Sequence, residues 1–133
     1  MKKALLVLSI GTVAVASALL LACGGGGAKV TVTAELREFS ITPSVTEVEA
    51  GKIKFVAKNV GTMPHELAVV QVDADGNKRE VAEVEGVAVG GSPEFTANLK
   101  AGRYELACLI APGELGSTVD HYQQGMHVEF IVK

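Results

Sequence analysis

Four side chains in this chain of 133 residues make up a candidate metal-ligand set: Cys108, His121 and Met126 follow one another near the C-terminus, and His65 lies far upstream. Two imidazoles and a thiolate in a trigonal arrangement, with a weak axial thioether, suit copper. Both oxidation states tolerate that compromise geometry, so an electron can move with little reorganisation. The set points to electron transfer and away from hydrolysis. Taken singly, each residue has a plainer reading: His65 as a hydrogen-bonded histidine, Met126 as core filler, Cys108 as a small buried hydrophobe. Their order His, Cys, His, Met is what gives them a joint meaning. No Ser/His/Asp arrangement, phosphate loop or paired-cysteine zinc motif competes with it.

The elements that must position these residues are legible from periodicity. Apolar and polar residues alternate in Val30-Thr31-Val32-Thr33-Ala34-Glu35-Leu36, which fits a strand with one buried face. The same pattern predicts strands over 53–58, 66–72, 79–85, 94–99, 103–109 and 126–132. Turn signals separate them, among them Asp75-Gly76-Asn77, Gly90-Gly91-Ser92-Pro93 and Lys100-Ala101-Gly102. No long amphipathic helix is predicted. Seven to eight short strands at this spacing imply an all-β, antiparallel sandwich with Greek-key links.

The N-terminus reads differently. Met1-Lys2-Lys3 precedes an uncharged apolar run from Ala4 to Leu21, the pattern of a secretory signal. The run ends in Leu20-Leu21-Ala22-Cys23, which resembles a bacterial lipobox, so residues 1–22 are expected to be cleaved and Cys23 to be lipidated. An uncleaved membrane helix is the rival reading, since the run reaches spanning length. Gly24 to Gly27 then make a flexible tether within residues 23–28, and residues 29–133, about a hundred, leave room for one modest core. Loss of Lys2 and Lys3 from twelve basic residues leaves ten against fifteen acidic ones, a balance of −5. Nucleic acid is thereby an improbable partner. Lipidation of Cys23 would also leave Cys108 as a lone thiol in an oxidising compartment, where an unpaired cysteine needs protection or a role.

Three motifs carry a resemblance. Lys58-Asn59-Val60-Gly61-Thr62-Met63-Pro64-His65 is similar to a strand ending in asparagine whose short loop delivers a histidine after proline. Gly102-Arg103-Tyr104-Glu105-Leu106-Ala107-Cys108 is similar to a strand ending at a thiolate, and His121-Tyr122-Gln123-Gln124-Gly125-Met126 matches a histidine and methionine separated by four residues. Together they resemble the cupredoxins, the small blue copper proteins of the plastocyanin and azurin type. The resemblance spans nearly the whole of residues 29–133.

That resemblance implies a single type 1 copper, cycling between Cu(I) and Cu(II), held by His65, Cys108 and His121 with Met126 as the axial contact. It implies a monomeric single-electron carrier, which the N-terminal pattern puts at the cell envelope, extracytoplasmic and anchored to a membrane through lipid. Larger redox proteins would dock briefly on an apolar patch around the C-terminal histidine, for which Met63, Pro64, Leu109, Pro112, Leu115 and Tyr122 are candidates. Copper storage, delivery or resistance is the alternative function, and a metal-free binding module a third. No enzyme activity is expected, because copper oxidases and nitrite reductases of this lineage need a second copper centre, and His65, His121 and His127 are the only histidines.

Two departures from the family pattern stand out. Twelve residues, Leu109 to Asp120, separate Cys108 from His121, where the best-known members have a much shorter loop. Asp120, Glu114 and His127 therefore stay open as substitutes for His121, although strand alternation places His127 on the opposite face from Met126, Val128 and Phe130. Glu66 also stands where plastocyanins commonly have an asparagine that ties the ligand loops together. Asn59 is the candidate to replace that tie.

Overall fold

The computed structural model describes residues 27–28 and 30–133. The expected signal peptide, the lipidation site Cys23 and most of the tether lie outside the described residues. Among those residues the chain forms nine strands: β1 (Val30–Arg37), β2 (Ser40–Pro43), β3 (Glu47–Val48), β4 (Gly51–Asn59), β5 (His65–Val72), β6 (Lys78–Val87), β7 (Glu94–Leu99), β8 (Gly102–Ala107) and β9 (His127–Val132). All seven strands expected from alternation are present, with ends that shift by one or two residues. The additions, β2 and β3, are too short to show a period; each buries one apolar residue, Ile41 and Val48.

The strands form two packed sheets, ordered β2-β1-β4-β7 and β3-β9-β8-β5-β6. Alternation in β1 puts Val32, Ala34 and Leu36 inward, and β4 does the same with Ile53, Phe55 and Ala57. Leu67, Val69, Leu106 and Phe130 face them from the second sheet in one continuous core. Phe55 sits at its centre, stacked on Phe95 at 5.3 Å and edge-on to Phe130 at 5.8 Å. Burying such side chains contributes about 1.5–3 kcal/mol each, so this core fixes the sandwich on which the loops are mounted.

The expected antiparallel arrangement needs one correction. β1 pairs with β4 in parallel, from Val30↔Ile53 to Leu36↔Asn59, and β3 pairs in parallel with β9. Between β1 and β4 the chain leaves the first sheet at its β2 edge and adds β3 to the edge of the second before returning. That crossing makes β1 and β4 run the same way. Their C-terminal ends, and the turns that follow, therefore lie side by side: the Val60 N–H donates to Leu36 O at 3.0 Å.

β5 is buried over six successive residues, His65 to Val70, because both its faces are covered. Leu67 and Val69 enter the main core, whereas Ala68 and Val70 join Ala107 in a smaller cluster on the outer face, beneath Leu109 and Tyr122. A bulge interrupts the β5–β6 ladder between His65↔Val87 and Leu67↔Val84. Bulges of this kind re-aim side chains and concentrate beside sites.

Candidate metal centre

The site forms where the β4–β5 loop and the long β8–β9 connection meet. β8 ends at Ala107, and its ladder with β9 extends by one step, the Cys108 N–H donating to Met126 O at 3.0 Å. His121 is tied into the same frame, since its N–H donates to Ile110 O at 2.9 Å and its carbonyl accepts from Met126 N–H at 3.1 Å. The turn from His121 to Met126 closes through Gly125, whose φ of 99° is in the left-handed region that favours glycine. No atom crowds a Cβ added there, so its need is conformational rather than steric.

His65, Cys108 and His121 each offer one donor atom, and these atoms lie within 4.8 Å of one another. No other group of histidines, cysteines and carboxylates among the described residues has metal-binding geometry. All three residues are fully buried, and so is Met126, which packs in the same cluster as Cys108. Cys108 Sγ is 3.3 Å from His121 Nδ1, and the two imidazole centroids are 5.3 Å apart.

The far edge of each imidazole is held. His65 Nε2 is 3.2 Å from Glu38 Oε1, and His121 Nε2 is 3.1 Å from Ser117 Oγ. Phe39 meets the His121 ring edge-on at 5.0 Å. That leaves the Nδ1 atoms for the site, and His65 Nδ1 is buried without any hydrogen-bond partner. An orphaned buried nitrogen costs about 1–3 kcal/mol, a cost removed when the atom ligates a metal. With a thiolate and a thioether completing the donor set, copper fits these residues.

Burial favours the uncharged form of each donor, which suits the imidazoles and opposes the thiolate. It lowers the pKa of His65 against the opposing Glu38, and burial with the nearby His65 lowers that of His121. Burial pushes the Cys108 thiol up to about 11, against hydrogen bonds from the Glu66 and Ile110 N–H groups. Burial also raises Glu66, opposed by the Leu109 N–H and helped by the Glu83, Glu80 and Glu85 carboxylates.

The structure places the open candidates differently. His127 is exposed and stacks on Tyr122 at 4.3 Å, outside the cluster. Glu114 caps its own loop by accepting from the Ala111 N–H at 2.7 Å, and Asp120 accepts from the Gln123 N–H at 2.9 Å. Only His121 joins His65 and Cys108. The long loop is harmless because Ile110 and His121 are bonded to each other at its base, while Gly113–Ser117 and Ser117–Glu114 hydrogen bonds organise its tip.

The tie between ligand loops is kept by the residue that departs from the family pattern. Glu66 Oε1 accepts from the Leu109 N–H at 2.6 Å, and the Glu66 N–H points to Cys108 Sγ at 3.5 Å. Asn59 instead braces the β4–β5 loop: its Nδ2 donates to Met63 O and Val87 O, and its Oδ1 accepts from the Gly61 N–H. The expectation of a C-terminal histidine reaching the surface is corrected, because Ser117 and the loop tip cover His121. The candidate patch divides accordingly. Met63, Pro64 and Leu115 border a cavity of about 160 Å³ over the two ligand loops, whereas Leu109 and Tyr122 lie on the outer face of the second sheet.

Sequence reasoning missed Glu38, Phe39 and Ser117. The first two reach the site only through the parallel β1–β4 pairing, which no local pattern announces. Ser117 lies inside the long Leu109–Asp120 loop, where no local pattern marks it.

No protein-family model matches the chain, and no curated protein does either. Among solved structures, reduced auracyanin from the photosynthetic bacterium Roseiflexus castenholzii matches with a TM-score of 0.55 at 20% identity, over 80% of this chain and 99% of that one. Auracyanin B matches with a TM-score of 0.62 at 16% identity, over 81% and 91%. Auracyanin A, a blue copper protein from Chloroflexus aurantiacus, matches with a TM-score of 0.51 at 22% identity, over 77% and 99%. Two mixed sheets packed face to face, nine strands among the described residues and a buried His–Cys–His cluster between the β4–β5 and β8–β9 loops thus give this chain the fold of the cupredoxins.

Proposed function

We propose that this protein is a single-electron carrier with one copper held by His65 Nδ1, Cys108 Sγ and His121 Nδ1, and by Met126 as a weak axial contact. The unpartnered, buried His65 Nδ1 beside the thiol carries this reading. Copper bound there supplies a one-electron Cu(I)/Cu(II) couple. Cys108 provides the strong, soft bond, and full burial of the donors keeps water out. Glu38, Ser117 and Phe39 hold the two rings still, so little has to rearrange on electron transfer. The patch of Met63, Pro64 and Leu115 is the surface on which redox proteins would dock briefly.

The purified protein should turn blue with stoichiometric Cu(II), and Cys108→Ser should stay colourless. A colourless wild type, or a serine variant that keeps the band, removes the electron-transfer reading. Efficient passage of copper to an acceptor apoprotein, with sluggish electron exchange, would favour delivery instead.

We also place the protein at the outer face of a bacterial membrane, tethered by lipid on Cys23. Support comes from the Leu20-Leu21-Ala22-Cys23 motif. Mass spectrometry of the membrane fraction should find a diacylated Cys23; recovery of protein that retains Met1 would mean an uncleaved helix.

A further inference from the structure

A carboxylate stands behind one of the two imidazoles, and its surroundings are built to keep it there. Glu38 Oε1 accepts from the Thr62 N–H at 2.6 Å and the Met63 N–H at 3.0 Å, and lies 3.2 Å from His65 Nε2. Gly61 makes room for it, since a Cβ at that position would collide with the Glu38 carboxylate. The Thr62 and Met63 N–H groups converge with His65 Nε2 on this one oxygen, an arrangement that favours the carboxylate form. His121 has no such partner: its far edge meets the neutral Ser117 hydroxyl. The two imidazoles of the cluster are therefore electrostatically unequal.

We infer that Glu38 is a positioning residue that fixes His65 as the Nε2–H tautomer with a bare Nδ1 facing the metal, and that its negative charge makes His65 the more basic ligand and lowers the reduction potential. A carboxylate accepting from the remote N–H of a ligating histidine orients the ring and raises its basicity. A negative charge at that distance favours Cu(II) over Cu(I), because the oxidised ion carries the extra positive charge. This inference rests on the copper reading above for its redox part alone; the tautomer is a property of the copper-free protein.

The test has two arms. In copper-free wild-type protein, long-range ¹H–¹⁵N spectra should show His65 protonated at Nε2 and bare at Nδ1, and a proton on Nδ1 overturns the inference whatever the metal does. In the copper-loaded protein, Glu38→Gln should keep the blue band but weaken Cu(II) binding by about ten- to a hundredfold, with a smaller loss for Cu(I). A tenfold greater loss for Cu(II) than for Cu(I) reads as a rise of 59 mV in potential. Gly61→Ala, which pushes the carboxylate aside without removing it, should shift the potential in the same direction. A merely structural Glu38 would lower the melting temperature in both variants with the potential unmoved, and that result refutes the electrostatic role. Failure of wild-type protein to take up copper would instead remove the electron-transfer reading and leave the tautomer arm to decide the position of His65.

Discussion

At the scale of single residues, the site divides labour by chemistry. On the copper reading proposed above, Cys108 supplies bond strength, His65 and His121 supply borderline nitrogen donors, and Met126 is placed to tune. Met126 is wholly buried, and its backbone joins Cys108 on one side and His121 on the other, so side-chain changes there leave the frame intact. An amide oxygen is a harder donor than a thioether and favours Cu(II). Met126→Gln should accordingly give a coloured protein whose potential, measured by voltammetry, is lower than that of the wild type. Identical potentials would make Met126 packing and nothing more. The four ligand candidates were legible from residue type and order alone, because soft and borderline donors in one chain are few and their spacing from His121 to Met126 is short. Glu38 was not legible: glutamates are common on surfaces, and nothing within a few positions marks this one as reaching an imidazole 27 residues away.

At the scale of elements, β1, β4, β5, β8 and β9 could be read because each alternates over enough residues to bury a face. β2 and β3 could not, being four and two residues long. That gap hid the parallel β1–β4 pair, and with it the turn that carries Glu38 and Phe39 to the two histidines. The connection from Leu109 to Asp120 was legible as an excursion but not as a cover, since its closure depends on Ile110 O meeting the His121 N–H and on Ser117 reaching inward. Leu115 is half-exposed at its tip, with a φ of 45°. If electrons pass between two copies across the proposed Met63–Pro64–Leu115 patch, Leu115→Glu sets two carboxylates against each other in a protein already carrying net negative charge. The self-exchange rate, read from NMR line broadening of mixed redox states, should fall about tenfold, with the visible spectrum unchanged. An unaltered rate would move the docking surface elsewhere.

At the scale of the whole molecule, two sheets and their core form a rigid base, and the loops at one end enclose a fully buried cluster. The same burial treats electrons and ions differently. An electron crosses a few ångströms of packed side chain without any atom leaving its place, whereas an ion must pass Ser117, which is 8% exposed and bonded to His121. Metal uptake then requires local opening of the loop, a process governed by the stability of that segment and not of the whole fold. In stopped-flow mixing of copper-free protein with Cu(II), the uptake rate should rise with copper concentration and then level off at the opening rate, and Ser117→Gly should raise the plateau several-fold. A rate that stays proportional to copper throughout would mean that the ion reaches Cys108 unhindered. With the cover in place, a carrier of the proposed kind is emptied and filled of electrons many times during the residence of a single metal ion, so redox traffic and metal turnover run on separate clocks set by one serine-latched loop.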